Sequence, residues 1–202
     1  NFKLATYGFF LPHKGLLEFI EAVELLRGKG IKVEANMVNA EYPVSSSKML
    51  VEQAKAIIEK KKLRKQITLS TDFLDDGDSL ALLEKADLIL FPYQDTGESA
   101  SGAVRYGLAT RRPVAVTPLS IFDDISPAVF KLPGTSPPEI ADGLENLISM
   151  IRAGDPSISK VSTEANRWVE EHLYEKLARR FGNLLYALKN DKSHNDRSNF
   201  GN

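Results

Sequence analysis

The loop at residues 8–15 places a lysine where it could bind an anion. It reads GFFLPHKG and joins an apolar strand pattern to a helical pattern. Lys14 lies at the predicted helix N-terminus, where unpaired N–H groups and the helix dipole favour an anion. A cation there indicates a phosphate ligand, and Gly8 would let the backbone approach it. The alternative is a tight strand–helix turn with a solvated lysine.

A second loop, residues 94–102, carries a carboxylate beside small side chains. Glu98 is followed by four small residues, Ser99, Ala100, Ser101 and Gly102, and then by a helical pattern. Small side chains would let a ligand reach the unpaired amides of the helix N-terminus. A carboxylate at that point can accept two sugar hydroxyls or stabilise a developing cationic carbon. The alternative is that Glu98 or Ser99 is an ordinary N-cap.

Alternating strand and helix patterns determine where these loops would lie. We predict strands at residues 2–9, 32–38, 66–69, 87–93, 113–116 and 129–132. Helices are predicted at about 16–28, 48–62, 79–85, 100–110, 137–152, 157–172 and 174–188. This alternation predicts a doubly wound, Rossmann-like α/β fold with a parallel sheet and C-terminal helices. Ligands of such sheets bind beyond the carboxyl ends of the strands, so both loops should share one site.

Composition narrows the possible functions. Lys and Arg number 26, Asp and Glu number 27, and the formal net charge is −1. A near-neutral chain has no bulk electrostatic reason to coat nucleic acid or an anionic membrane. The chain has no cysteine, and its three histidines are too far apart for a local metal motif. We expect one domain over residues 1–188, a disordered polar tail over 189–202, and a longer cytosolic parent polypeptide.

With both loops considered, the chain resembles the C-terminal, donor-binding domain of GT-B glycosyltransferases. The nearest resemblance is to family 4, also called glycosyl transferases group 1, and it extends over residues 2–188. The family's Gly-Arg-(loop)-Lys-Gly element corresponds to Gly8-Phe9-(loop)-Lys14-Gly15. Its Glu-x(seven)-Glu element corresponds to the segment from Glu98 to Tyr106.

The resemblance implies transfer of a sugar from a nucleotide-diphospho-sugar with retained anomeric configuration and with no metal or other cofactor. Glu98 would be the catalytic residue beside the transferred sugar, and Lys14 would contact the donor diphosphate. The remaining donor-binding residues would be Gly8, Asp72, Phe73, Ser99, Ala100, Ser101, Gly102 and Tyr106. Asp72 and Phe73 would face the nucleotide base. An N-terminal acceptor domain would be missing, which would leave this piece inactive alone.

Two departures from the family pattern support a different class of function. The family's phosphate-binding arginine falls at Phe9, and its ribose-binding glutamate falls at Tyr106. A tyrosine hydroxyl cannot make the bidentate contact of a carboxylate. The alternative function is therefore a non-catalytic GT-B-like module for protein interaction or assembly. A nucleotide-sugar epimerase or other Rossmann enzyme is a weaker alternative, because the chain lacks G-x-G-x-x-G after its first strand.

Three charged features look functional but have simpler interpretations. Asp76-Gly77-Asp78 matches a D-x-D metal motif, yet it precedes a helix that acidic residues would cap. The basic run at residues 60–65 suits a helix end and a solvated face. From this basic run we expect at most a peripheral contact with a membrane, and we expect no binding of nucleic acid. Asp123 and Asp124, in a third loop at residues 117–124, are expected to cap a helix near Ile125.

Overall fold

A six-stranded parallel sheet forms the centre of the chain. The computed structural model describes residues 1–95, 97 and 100–198, and beyond residue 189 it describes the backbone only. The strands are β1 (Phe2–Phe9), β2 (Val33–Ala40), β3 (Ile67–Ser70), β4 (Leu88–Phe91), β5 (Val114–Val116) and β6 (Phe130–Lys131). Their order is β3-β2-β1-β4-β5-β6, and each neighbouring pair is parallel. The predicted doubly wound, Rossmann-like sheet is confirmed.

Seven α-helices accompany the strands in the described residues. They are α1 (Leu16–Gly28), α2 (Ser45–Lys60), α3 (Asp76–Leu83), α4 (Gly102–Ala109), α5 (Pro137–Ala153), α6 (Pro156–Glu171) and α7 (Tyr174–Ser198). Two 3-10 helices occupy Pro12–Lys14 and Ser120–Ala128. The first lies in the loop at residues 8–15, and the second contains Ile125, near which a helix was expected without stated bounds. Pro127 lies inside it and has no N–H with which to continue an α-helix.

Two elements have boundaries that differ from the prediction, because one residue ends a strand early and another begins a helix early. β4 stops at Phe91 instead of residue 93, since Pro92 cannot donate a hydrogen bond to a neighbouring strand. α3 begins at Asp76 instead of residue 79, because the Asp75 carboxylate accepts a bond from the Asp78 amide and closes the first turn.

The hydrophobic core packs on the faces of β1 and β4. This packing holds the two strands in place and so positions the loops that leave their carboxyl ends. All four residues of β4 are buried, as the continuous apolar run predicts for a strand covered on both faces. Leu4 of β1 pairs in register with Leu88. Phe19 and Ile20 of α1 are fully buried in the same hydrophobic cluster. Burial on this scale stabilises each large apolar side chain by about 1.5–3 kcal/mol.

The chain divides into two compact units, Asn1–Asn166 and Arg167–Asn202. The first unit contains the whole sheet. Within the second, Leu177, Phe181 and Leu184 on α7 are exposed and recur at helical spacing. The predicted division into 1–188 and 189–202 stays a prediction; α7 continues past residue 188, and residues 199–202 lie outside the described part. No described helix has the length and apolarity needed to cross a membrane.

Candidate functional site

A cavity opens where the strand order reverses between β1 and β4. Its volume is about 440 Å³, and it lies beyond the carboxyl ends of these strands. Loops 8–15 and 94–102 leave the same ends, so the topology brings the two loops together, as expected for a ligand site of a doubly wound sheet. Polar lining residues include Tyr7, Lys14, Asp72, Asp76, Ser79, Tyr93, Ser101 and Tyr106.

Tyr93 connects the two loops at the floor of the cavity. The ammonium of Lys14 lies 4.0 Å from the centre of the Tyr93 ring, which is a cation–π geometry. The Tyr93 hydroxyl is 2.9 Å from the Ser101 hydroxyl. Only 1% of the Tyr93 surface is exposed. A single buried ring therefore positions a cation and the start of α4 on the same wall.

Gly15 makes the close approach of the two loops possible. Its backbone is left-handed, with φ of 65°, and a Cβ on it would overlap the Pro92 carbonyl oxygen. Beside this contact, the backbone N–H of Gln94 donates to the backbone carbonyl of His13 at 2.9 Å. A glycine at this position lets the Lys14 loop pack directly on the loop that follows β4.

The N-terminus of α4 borders the cavity. Ser101 is its N-cap, and its hydroxyl accepts from the Val104 amide at 3.4 Å. Gly102 and Ala103 both line the cavity at the first turn. Gly8 lines it from β1, with φ of 126°, and a Cβ there would touch the Ala103 side chain at 3.4 Å. Unpaired amides of a first helical turn are a suitable cradle for an anion.

Aromatic side chains form another part of the lining. The Phe9 ring is stacked on Phe73 with centroids 6.0 Å apart, and Tyr42 meets Phe9 edge-on at 4.9 Å. Phe73 is 78% exposed although it is large and apolar. An exposed aromatic face at a cavity mouth can stack on a planar ring of a ligand. The uncharged Phe9 thus belongs to an aromatic cluster.

A third part of the lining is rich in hydroxyls. The Tyr106 hydroxyl donates to the Asp76 carboxylate at 2.9 Å, and its ring lies 5.2 Å from that of Tyr7. Tyr7 shares a hydrogen bond with buried Ser79. Burial raises the pKa of the Tyr7 hydroxyl above its ordinary 10.0; the Ser79 bond lowers it and the Asp76 charge raises it. The hydroxyl is therefore protonated at neutral pH.

The structure places the predicted site residues as follows. Seven of them line the cavity: Gly8, Lys14, Asp72, Phe73, Ser101, Gly102 and Tyr106. Ala100 is exposed and precedes the N-cap of α4, so it lies outside this helix, which was predicted to begin at residue 100. Glu98 and Ser99 lie outside the described residues. The roles assigned to all ten stay predictions.

Other charged residues have structural partners. The N-cap of α3 is Asp75 and not a residue of the Asp76-Gly77-Asp78 motif, but Asp76 and Asp78 lie in the first turn, where acidic residues complement the helix dipole as expected. Asp123 and Asp124 form ion pairs with Lys131 and Arg105 instead of capping a helix. Arg105 also donates to the Ser101 carbonyl, which stabilises the start of α4.

Tyr7, Asp76, Ser79 and Tyr93 were not predicted as site residues. Tyr7 precedes Gly8 at the end of β1, and Tyr93 follows β4, so proximity to the strand ends was the available signal. Within residues 1–95, 97 and 100–198, no group of three or more His, Asp or Glu side chains could hold a metal ion.

Comparison with solved structures finds chains of similar fold, whereas comparison of sequences finds no match. No protein-family model matches the chain, and no curated protein matches it. A glycosyltransferase from Rickettsia africae is 18% identical with a TM-score of 0.74, over 92% of this chain and 47% of that one. The C-terminal domain of a glycosyl transferase group 1 family protein from Francisella tularensis is 19% identical, with a TM-score of 0.66 and 85% of each chain covered.

The chain has the fold of a GT-B C-terminal domain. Anabaena HepE in complex with UDP has a TM-score of 0.73 at 14% identity, over 93% of this chain and 49% of that one. The GT-B domain described here thus spans about half the length of the Rickettsia and Anabaena proteins. The fold implied by the sequence resemblance is confirmed.

Proposed function

We propose that this GT-B domain is the donor-binding half of a glycosyltransferase that uses a nucleotide-diphospho-sugar. The observation that carries the proposal is the juxtaposition of the Lys14 ammonium with the first turn of α4 in one cavity at the switch point. A cation and free amides on one wall suit a diphosphate. The exposed Phe73 face suits a base at the cavity mouth.

The proposed chemistry follows from where charge develops. The bond between the anomeric carbon and the diphosphate oxygen breaks, and the nucleoside diphosphate leaves with the electron pair. Lys14 and the α4 amides would stabilise that negative charge, while Glu98 would stabilise the sugar as its anomeric carbon becomes cationic. The acceptor hydroxyl then bonds to the anomeric carbon, with retained configuration, and its proton passes to the departing diphosphate. No cofactor is invoked beyond the donor substrate.

The acceptor would be held by a second, N-terminal domain. The chain covers only 47% of the Rickettsia africae glycosyltransferase, so this half would bind donor without turnover. We propose transfer of a hexosyl group in glycan or cell-surface polysaccharide synthesis at the cytoplasmic side. A membrane contact, if it is made, would be peripheral, and nucleic acid is not a proposed partner.

Calorimetric titration with UDP, GDP and ADP tests donor binding. We expect one of these to bind, and Lys14→Ala to weaken its affinity about tenfold or more, as loss of a charged contact does. Lys32→Ala is the matched control, because Lys32 is exposed and precedes β2 at the opposite edge of the sheet. The proposal fails if no diphosphate binds at millimolar concentration, or if both variants bind like the wild type.

An interaction module is the second candidate function, favoured by the apolar side chains of α7. Leu177, Phe181 and Leu184 are 39%, 62% and 55% exposed, and large exposed patches usually mark a protein contact. Under this alternative the chain binds no nucleotide but associates with itself or a partner. Sedimentation measurements on the wild type and a Phe181→Ser, Leu184→Ser variant would show association that the substitutions abolish.

A further inference from the structure

Two adjacent carboxylates at the start of α3 have different roles. The Asp75 side chain accepts from the Asp78 amide at 2.8 Å and is the N-cap. Asp76 is therefore released from capping. Its Oδ1 accepts from the Tyr106 hydroxyl at 2.9 Å, across thirty residues of sequence, and its side chain lines the cavity. A cap alone does not explain why this second carboxylate is held towards α4.

The surroundings of Asp76 are those of a site that binds hydroxyls. The side chains of Tyr7 and Ser79, which also line the cavity, are hydrogen-bonded to each other, and the Tyr7 ring packs against the Tyr106 ring. Each hydroxyl can both donate and accept a hydrogen bond. A carboxylate has about four acceptor positions, so the bond from Tyr106 orients Asp76 without exhausting it. Two neighbouring hydroxyls of a ligand could donate to the remaining positions.

The other residues that line the cavity indicate which part of the ligand Asp76 meets. Phe73 lies three residues earlier in the chain and presents an exposed ring to the same cavity. Lys14 and Gly102 line the part where a diphosphate would be held. In a nucleotide the ribose is bonded directly to the base and precedes the phosphates. Asp76 follows Phe73 on the segment that leads into α3 and lines the same cavity, so we assign it to the ribose, the part of the ligand that adjoins the base.

We propose that Asp76, oriented by Tyr106, binds the ribose hydroxyls of the nucleotide and selects ribonucleotides over deoxyribonucleotides. This proposal rests on the proposed function, since it assigns a residue to the same donor. It also gives Tyr106 a role: its hydroxyl positions a carboxylate that is supplied by α3. Selectivity would then come from two helices, α3 and α4, that are far apart in sequence.

Paired titrations test the assignment. Calorimetry would compare UDP, GDP and ADP with their 2′-deoxy counterparts for the wild type, Asp76→Asn, Asp75→Asn and Tyr106→Phe. The readout is the ratio of the two affinities, because removing a negative charge near a diphosphate can itself strengthen binding. Asp75→Asn is the matched control: it removes the same charge one residue away, and asparagine caps a helix as well as aspartate does.

The expected result is a wild-type preference for the ribonucleotide of about tenfold or more, the size of a bond to a charged group. Asp76→Asn would lose most of that preference, Tyr106→Phe would lose part of it, and Asp75→Asn would keep it. If Asp76→Asn keeps the preference while the ribonucleotide still binds, the ribose assignment is overturned and the proposed function stands. Equal losses in Asp75→Asn and Asp76→Asn would also overturn it. If the wild type binds no nucleotide, both proposals fall.

Discussion

Replacing Gly15 by alanine tests whether the close approach of the two loops depends on the absence of a side chain. Gly15 has φ of 65°, and a Cβ there would overlap the Pro92 carbonyl oxygen and lie 2.8 Å from its carbon. The matched control is Gly154→Ala. Gly154 has the same φ of 65°, ends α5, and has nothing within 4 Å of a Cβ. Both glycines belong to the same compact unit.

The two variants share one cost and differ in another. A left-handed alanine costs roughly 1–2 kcal/mol at either position. Gly15→Ala adds an overpacking cost of roughly 1–3 kcal/mol, because the neighbour is backbone and cannot rotate away. For a chain of this size 1 kcal/mol corresponds to about 2–4 °C in Tm, so Gly15→Ala should melt about 2–12 °C below Gly154→Ala.

Thermal unfolding followed by circular dichroism measures the difference, and a nucleotide titration of each folded variant measures its effect on the site. Gly15→Ala should also bind nucleoside diphosphate more weakly, since the added methyl group separates Lys14 from Tyr93. If Gly15→Ala is as stable as Gly154→Ala, the Pro92 contact does not constrain the loops. Unchanged binding in Gly15→Ala would show that the spacing of the loops is unimportant to the site.

Three further predictions concern single side chains. Asp75→Ala removes the cap of α3 and should lower stability by about 1 kcal/mol in a urea titration, whereas Asp75→Asn should not; equal stability of all three proteins would contradict the cap. Hydrogen bonds from Ser136 lower the pKa of Glu139 in the folded state. The contribution of Glu139 to stability is therefore complete above its pKa in the unfolded state, about 4.5, and is lost as pH falls through its lower pKa in the folded state. Ser136→Ala should flatten that acid dependence in melts between neutral pH and pH 3, and an unchanged slope would contradict this assignment. Tyr7 should ionise above pH 10.0 in an absorbance titration, and the free energy of unfolding should decrease as pH rises past that value, because the unfolded state loses the proton first. Tyr7→Phe should remove this late ionisation from the titration; if the late ionisation remains in the variant, it belongs to another tyrosine.

The sheet was predictable because its pattern is local. Every residue of Leu88–Phe91 is apolar, and a strand that is buried on both faces needs no polar position. The meeting of loops 8–15 and 94–102 then follows from topology, because parallel strands direct their carboxyl ends to one edge. For this reason Lys14, Ser101 and Gly102 could be assigned to one cavity from sequence.

Side-chain pairings across the cavity were not predictable in the same way. Two acidic residues before a helix look alike in sequence, and only the contact with Tyr106 distinguishes Asp76 from Asp75. Tyr93 similarly gains its role from Lys14 and Ser101, which lie on different elements. These contacts depend on how two loops and two helices pack, so no local pattern encodes them.

The most direct test of the central claim is an amide NMR titration of the chain with UDP, GDP and ADP. If a diphosphate binds at the switch point, we predict that the largest shift changes cluster at Gly8, Lys14, Ser101 and Gly102, at the carboxyl edge of β1 and β4. The contrary result is a cluster around Asn36 and the other residues of the cavity of about 310 Å³ that lies near the amino ends of β1, β2 and β3. Shifts spread over the sheet without a cluster would contradict the claim as well.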